Sequence, residues 1–344
     1  MPSAADEVRR AIIARGGALP FDDFMSLALY GDGGFYIRSS DAGRTGMAGR
    51  RGDFITSPEV GPLFGTVMAR AFDTWWEQLG RPDPFVVVEA GAGPGTLARS
   101  VLAARPACVE SLRYVAVEVS ATQRAMHPAG VESRATMPTE PFVGVIIANE
   151  LLDNLPFRLF VHDGEWQEAH VGSDGERFVE VLRRCAALPS CLPVSSAHGA
   201  RVAVQEVAAQ WVADSLSLVT SGRVVVIDYS TTTEAMAQRP WREWLRTYAS
   251  QNRGTHYLAS VGEQDITAEV AVDQLSGTTS VETQADFLRS HGIEDLVAEG
   301  KQVWQRAASA PDVAAMKMRS RVSEAEALLD TNGLGGFSVM QWCC

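Results

Sequence analysis

A chain of 344 residues, 46% hydrophobic and 21% charged, has room for one large α/β domain with insertions or for two domains. It holds no apolar run near the roughly 20 residues that cross a bilayer, and Met1–Glu7 lacks the basic-then-apolar pattern of a secretory signal. The formal charge of −12 argues against gripping nucleic acid by its phosphates and favours a small-molecule ligand or a basic polypeptide partner.

Residues 5–15 and 21–30 carry helical apolar spacing, separated by Gly16-Gly17. A glycine-dense stretch follows, from Gly31-Asp32-Gly33-Gly34 through Gly43, Gly46, Gly49 and Gly52, which suits a long, ligand-contacting loop. Ser57-Pro58-Glu59 reads as a cap with proline at the first helical position, opening a helix to about Leu79. Residues 1–83 are thus expected to form a helical and glycine-rich segment that contributes to the active site. From Phe85 the texture changes. Four nearly unbroken apolar runs, at 85–88, 114–117, 143–148 and 223–227, read as strands covered on both faces. Helical patterns at 95–105 and 121–127 lie between them, so the expected fold is α/β with a mostly parallel, doubly wound sheet over residues 84–344. Asp163-Gly164 marks the turn of an antiparallel hairpin at 159–171. Insertions are expected around 159–200 and 231–285, a surface loop at 189–193, and a last strand after Gly335-Gly336, beginning at Phe337.

The chemistry concentrates at Glu89-Ala90-Gly91-Ala92-Gly93-Pro94-Gly95-Thr96, where a strand runs into alternate glycines and then a helix. Such a bend lets backbone approach a ligand closely and offers the N–H groups of a helix N-terminus. The dinucleotide fingerprint needs a further glycine where Thr96 stands, which argues against a nicotinamide-dependent oxidoreductase. Glu89 would repel a pyrophosphate but suits an ammonium group. Glu118, at the end of the second apolar run, can take both ribose hydroxyls, or simply cap a helix. Asn149, Glu150 and Asp153 follow the third run, at the sheet edge where open α/β folds bind ligands; Asn149 could instead cap a helix.

The acid-x-Gly-x-Gly-x-Gly bend resembles class I S-adenosyl-L-methionine (SAM) methyltransferases, and the resemblance sharpens elsewhere. Arg51-Gly52-Asp53-Phe54-Ile55-Thr56-Ser57-Pro58-Glu59-Val60-Gly61-Pro62-Leu63-Phe64-Gly65 is similar to the signature of the MidA-like methyltransferase family, which includes a mitochondrial protein arginine methyltransferase. The 89–97 bend, Val117-Glu118-Val119-Ser120, the 148–156 block, Ile227-Asp228-Tyr229 and Asp265-Ile266-Thr267-Ala268 resemble its later blocks in order. The resemblance implies a class I, Rossmann-like methyltransferase fold with lid elements and SAM as cofactor. It implies Glu89, Gly91, Ala92, Gly93, Gly95, Glu118, Val119, Asn149, Ser57 and Pro58 as cofactor-binding residues. Glu150, Asn149 and Asp153 would be catalytic, and Asp53, Glu59 and Tyr229 would face the acceptor.

Two departures stand out: Ser230 replaces a glycine common after the Asp-Tyr block, and residues 231–253 match loosely. That stretch holds Trp241, Arg242, Trp244 and Arg246, which either shape the acceptor pocket or pack a lid. Three readings follow: a methyltransferase acting on a protein arginine, one acting on a small molecule at O or N, and a non-catalytic SAM-binding assembly factor. Five cysteines (Cys108, Cys185, Cys191, Cys343, Cys344) with no CxxC and no Cys/His cluster argue against disulfides or zinc and suit a cytoplasmic home. A homodimer is left open.

Overall fold

The computed structural model describes residues 3–37, 56–249, 252–310 and 312–344. Seven strands build the central sheet: β1 (Phe85–Ala90), β2 (Leu112–Val117), β3 (Glu132–Arg134), β4 (Phe142–Asn149), β5 (Val219–Asp228), β6 (Ser280–Thr283) and β7 (Ser338–Cys343). They lie in the order β6-β7-β5-β4-β1-β2-β3. Strands β3, β2, β1, β4 and β5 run parallel, and β7 is antiparallel to both β5 and β6. The order reverses between β1 and β4, and an open α/β sheet binds ligands at the carboxyl ends of strands flanking such a reversal. The mostly parallel sheet expected from the sequence is present, and each apolar run is the interior of a somewhat longer strand. Strands β3 and β6 escape sequence reading because they are four residues or fewer and largely polar, as edge strands often are.

Both faces of the sheet are covered. Val87, Val145 and Val225 face the helices Pro62–Gln78, Thr96–Ala104 and Val313–Leu329, through Phe64, Val67, Leu97, Val101 and Leu328. Their strand neighbours Val86, Val88, Ile146, Val224 and Val226 point the other way, onto Ala208 and Val212 of the helix Glu206–Leu218. This alternation across a two-sided core is why the runs are continuously apolar. Gly144 and Gly222 are paired neighbours on β4 and β5, with φ of +154° and +144°. A Cβ on Gly144 would lie 1.9 Å from the Val86 carbonyl oxygen, and one on Gly222 1.8 Å from that of Gly144.

A second core lies outside this sheet. The strands Arg158–Asp163 and Glu165–Ser173 turn at Gly164, and Phe178–Arg183 pairs with the second of them. Arg201–Val204 and the N-terminal Ala18–Pro20 complete a five-stranded antiparallel sheet, so the hairpin read from sequence is its centre. The helices Ala4–Ala14 and Phe21–Tyr30 pack on it through Val8, Ile12, Phe21 and Phe24, against Phe157, Phe160, Val202, Trp244 and Ile266. Trp244 is fully buried and its indole N–H donates to the Met236 carbonyl at 3.1 Å, so this tryptophan packs a core. Trp241 is half-buried beneath the Arg242 guanidinium, 4.4 Å from its ring centre.

The helix expected from Ser57 to Leu79 is two helices. Ser57–Val60 is capped by Thr56 rather than Ser57, with the Thr56 N–H donating to Glu59 at 3.4 Å. Gly61 is extended, with φ 166°, and Pro62 restarts the chain as Pro62–Gln78. Gly43, Gly46, Gly49, Gly52 and Asp53 lie outside the described residues.

Candidate functional site

At the β1/β4 reversal a cavity of about 420 Å³ opens at the carboxyl ends of the strands. Gly91, Gly93 and Gly95 have φ of +70°, +52° and +77°, a left-handed bend that brings the chain from β1 into the helix Thr96–Ala104. Gly91, Ala92 and Gly93 line the cavity; Gly95 sits behind them as the N-cap of that helix. Glu118 follows β2, and its carboxylate accepts the Gly93 N–H at 3.0 Å and the Ser120 N–H at 2.8 Å. The acid is thus oriented by the glycine loop itself. Val119 lines the wall and is half exposed. Gln123, one turn further on, was not singled out by sequence; its side-chain oxygen is buried with no hydrogen-bond partner among the described residues. It lies on the same wall.

Glu89, the penultimate residue of β1, is 5% exposed, with the Tyr114 hydroxyl donating to it at 2.7 Å. Burial pushes its carboxyl up to about 8, against the opposing hydrogen bond from Tyr114. Glu150 sits in the left-handed region at φ +52°, which for a non-glycine residue is stored strain of the kind found at functional sites. Its N–H is held by the Ile227 carbonyl at 2.8 Å, and the Asn149 amide donates to its carboxylate at 3.0 Å. Burial, reinforced by the nearby Asp153 charge, pushes the Glu150 carboxyl up to about 8. Asn149 also lines the cavity, and its own oxygen is buried without a partner among the described residues.

The remaining predicted residues fall in different places. Pro58 and Glu59 line the cavity. The Ser57 hydroxyl is fully buried and donates to Gln284 at 2.9 Å, so it faces away from the cavity. Asp153 lies behind Glu150, accepts from the Thr267 hydroxyl, and is raised to about 6 chiefly by burial. Beside it the buried Asp228 accepts the Leu152, Asp153 and Tyr229 N–H groups at 3.0, 3.2 and 2.9 Å. Tyr229 packs against Phe337 with ring centres 4.0 Å apart and planes tilted by 47°, and it is not in the cavity wall. Sequence reading also missed Tyr30 and Tyr36, which reach the cavity from the N-terminal segment.

Four carboxylates line this cavity, Glu59, Glu89, Glu118 and Glu150, and among the described residues no Lys or Arg does. Its apolar walls include Met137, Leu151, Leu155 and Trp211. Such a site suits a cationic ligand with a flat apolar part. Residues 67–291 match the model of a family described as S-adenosyl-L-methionine-dependent methyltransferases. The chain belongs to this MidA-like methyltransferase family. A mitochondrial protein arginine methyltransferase NDUFAF7 homologue of Drosophila melanogaster is 30% identical over 230 residues, 57% of this chain and 51% of that protein. The human protein arginine methyltransferase NDUFAF7 is 43% identical over 56 residues, 16% of this chain and 13% of its own length. The chain thus spans at most about half the length of these two relatives. Among solved structures, a Burkholderia thailandensis protein bound to S-adenosyl-homocysteine (SAH) superposes with a TM-score of 0.82 at 26% identity. The match covers 99% of this chain and 92% of that one. A native structure from the same organism gives 0.79 at 26% identity, over 99% and 91%. The MidA-like methyltransferase therefore has the class I fold and uses SAM as its cofactor. Its cavity fits that molecule: the buried unpartnered oxygens of Gln123 and Asn149 are acceptors awaiting hydroxyl or ammonium protons. The cysteines among the described residues are free, and no described helix is long and apolar enough to cross a membrane.

Proposed function

We propose that the protein methylates the guanidinium of a protein arginine, in the cytoplasm. The observation that carries this reading is the acidic cavity: with Glu89 and Glu118 assigned to the cofactor, Glu150 remains for a cationic acceptor, with Glu59 in the same wall. The names of the NDUFAF7 relatives support it, as does the chain's net charge of −12, which favours a basic polypeptide. Those relatives are mitochondrial, and the cytoplasmic assignment rests on the free cysteines, which suit a reducing compartment.

When bound, SAM supplies a methyl group on a sulfonium centre for in-line displacement, so the protein contributes positioning and electrostatics. In this reading Gly91 and Gly93, in the bend that Gly95 completes from behind, hold the amino-acid tail, Glu89 faces its ammonium, and Glu118 takes the ribose hydroxyls with Gln123. Glu150, oriented by Asn149, holds the guanidinium by charge-assisted hydrogen bonds. The reacting nitrogen loses one proton as its new bond to carbon forms, and a Glu150 carboxylate oxygen accepts it. Asp153 and Asp228 lie behind as a buried acidic layer that keeps Glu150 basic.

The test is to incubate the purified protein and methyl-labelled SAM with a lysate. Label recovered as methylarginine after hydrolysis of the protein fraction supports the reading. Label in an extractable metabolite overturns it in favour of a small-molecule acceptor, and label in neither fraction overturns it in favour of a non-catalytic role.

A further inference from the structure

Tyr30 and Tyr36 enter the cavity from a part of the chain that the class I sheet does not contain. Tyr30 ends the helix Phe21–Tyr30, and Tyr36 follows one turn of irregular chain later. Their rings stack, with centres 5.5 Å apart and planes 19° from parallel. Phe35, fully buried, meets Tyr36 edge-on at 5.1 Å.

Both hydroxyls are already committed. Tyr36 donates to Asp265 at 3.0 Å, and Tyr30 donates to the Asn154 carbonyl at 3.2 Å. The Asn154 amide in turn donates to both Asp265 oxygens at 3.1 Å, and the Ile266 N–H to one of them at 2.9 Å. Asp265 is 1% exposed, and it comes from the strand Asp265–Ala268, which belongs to a separate three-stranded sheet. A carboxylate is expensive to bury, and here nearly all its accepting capacity goes to fixing Tyr36 and Asn154, whose backbone carbonyl in turn holds Tyr30. With their hydroxyl protons spent, the two residues cannot donate to a ligand, and their rings offer it a π surface. Donation to a carboxylate also makes the Tyr36 ring richer in electrons, which strengthens its attraction for a cation.

We propose that Tyr30 and Tyr36 are specificity-determining residues that select a planar cation in the acceptor half of the cavity, and that Asp265, through Tyr36 and Asn154, is the positioning residue that holds them. The inference rests on the proposed acceptor chemistry for the class of group selected. It needs no turnover to be tested. Ethylguanidinium and its neutral counterpart ethylurea are titrated into the SAH-saturated protein and followed by ligand-observed NMR. The wild-type protein binds the cation at least tenfold more tightly than the urea. In Tyr30→Leu and Tyr36→Leu that preference falls to about twofold or less, and in Asp265→Asn it falls about threefold to fivefold, while SAH affinity stays within twofold in all three. Tyr36→Phe, which keeps the ring and removes only the tether, falls between wild type and Tyr36→Leu. An undiminished preference in the leucine variants overturns the inference, as does SAH affinity that drops in step with it. A wild-type preference for the cation with no label on arginine would sink the proposed function and leave this inference standing; labelled arginine with a KM untouched by Tyr36→Leu would do the reverse.

Discussion

With the cavity divided as proposed between cofactor and acceptor, its two halves are built by opposite means. The cofactor half is local: residues 89–95 and 118–123 lie one β–α unit apart, and much of it is main chain shaped by glycines, with Glu118 hydrogen-bonded to the Gly93 N–H. The acceptor half is assembled from afar. Tyr30, Tyr36, Glu59 and Glu150 arrive from three stretches of chain, and Asp265 ties two of those stretches together from a fourth. A backbone-built half tolerates change in what surrounds it, whereas a half built from side chains on separate elements can be retuned without disturbing the first. On the proposed assignment, binding of the common donor and choice of acceptor are thereby separable.

That separation can be broken or sharpened by measurement. The largest effect is expected for Glu150→Gln, which keeps the shape and removes the proton acceptor: kcat should fall about 10²–10⁴-fold with SAH affinity within threefold. A kcat within fivefold of wild type would remove Glu150 from the chemistry. Glu118→Ala should act on the other half, weakening SAH about 10–100-fold, since hydrogen bonds to a charged group are worth about 1.5–3 kcal/mol. Calorimetric titration reads this directly, and unchanged affinity would mean that Glu118 merely braces Gly93. The pH dependence is next in size. Glu150 must be ionised to take a proton, and burial keeps it protonated up to about 8 in the empty site. Hence kcat/KM should climb by about tenfold per unit as pH rises towards 8 and level off above it. The residual rate of Glu150→Gln should lack that rise. The smallest effect belongs to Ser57→Ala. With its hydroxyl on Gln284 rather than on a ligand, the variant should lose about 1 kcal/mol of stability, a drop in Tm of about 2–4 °C, and bind SAH normally.

The sequence exposed these halves unequally, for the same reason. Glycines at 91, 93 and 95 announce left-handed backbone, and an acid at the end of each neighbouring strand is visible without coordinates. The parallel core was equally plain, because strands buried on both faces need unbroken apolar runs. Gln123 was hidden because an orphaned acceptor is a property of its surroundings, not of its type. Tyr30 and Tyr36 look like ordinary aromatics at and after a helix end until the chain 124 or more residues away closes on them through Asn154 and Asp265. Ser57 misled in the other direction: its place in a distinctive block suggested ligand contact, and Gln284, 227 residues later, takes its hydroxyl. The cap at Thr56 and the break at Gly61 were missed because a Ser-Pro-Glu string satisfies cap chemistry by itself.

The apolar core shared by the first and middle parts of the chain has a consequence for birth of the protein on the ribosome. Val8, Phe21, Phe24 and Phe35 are buried against residues as distant as Ile266 and Ala271. At a synthesis rate of about 5–20 residues per second, these side chains emerge many seconds before their partners exist. That segment therefore waits with apolar side chains uncovered while the central sheet begins to form behind it, a stretch of nascent chain that a chaperone would shelter.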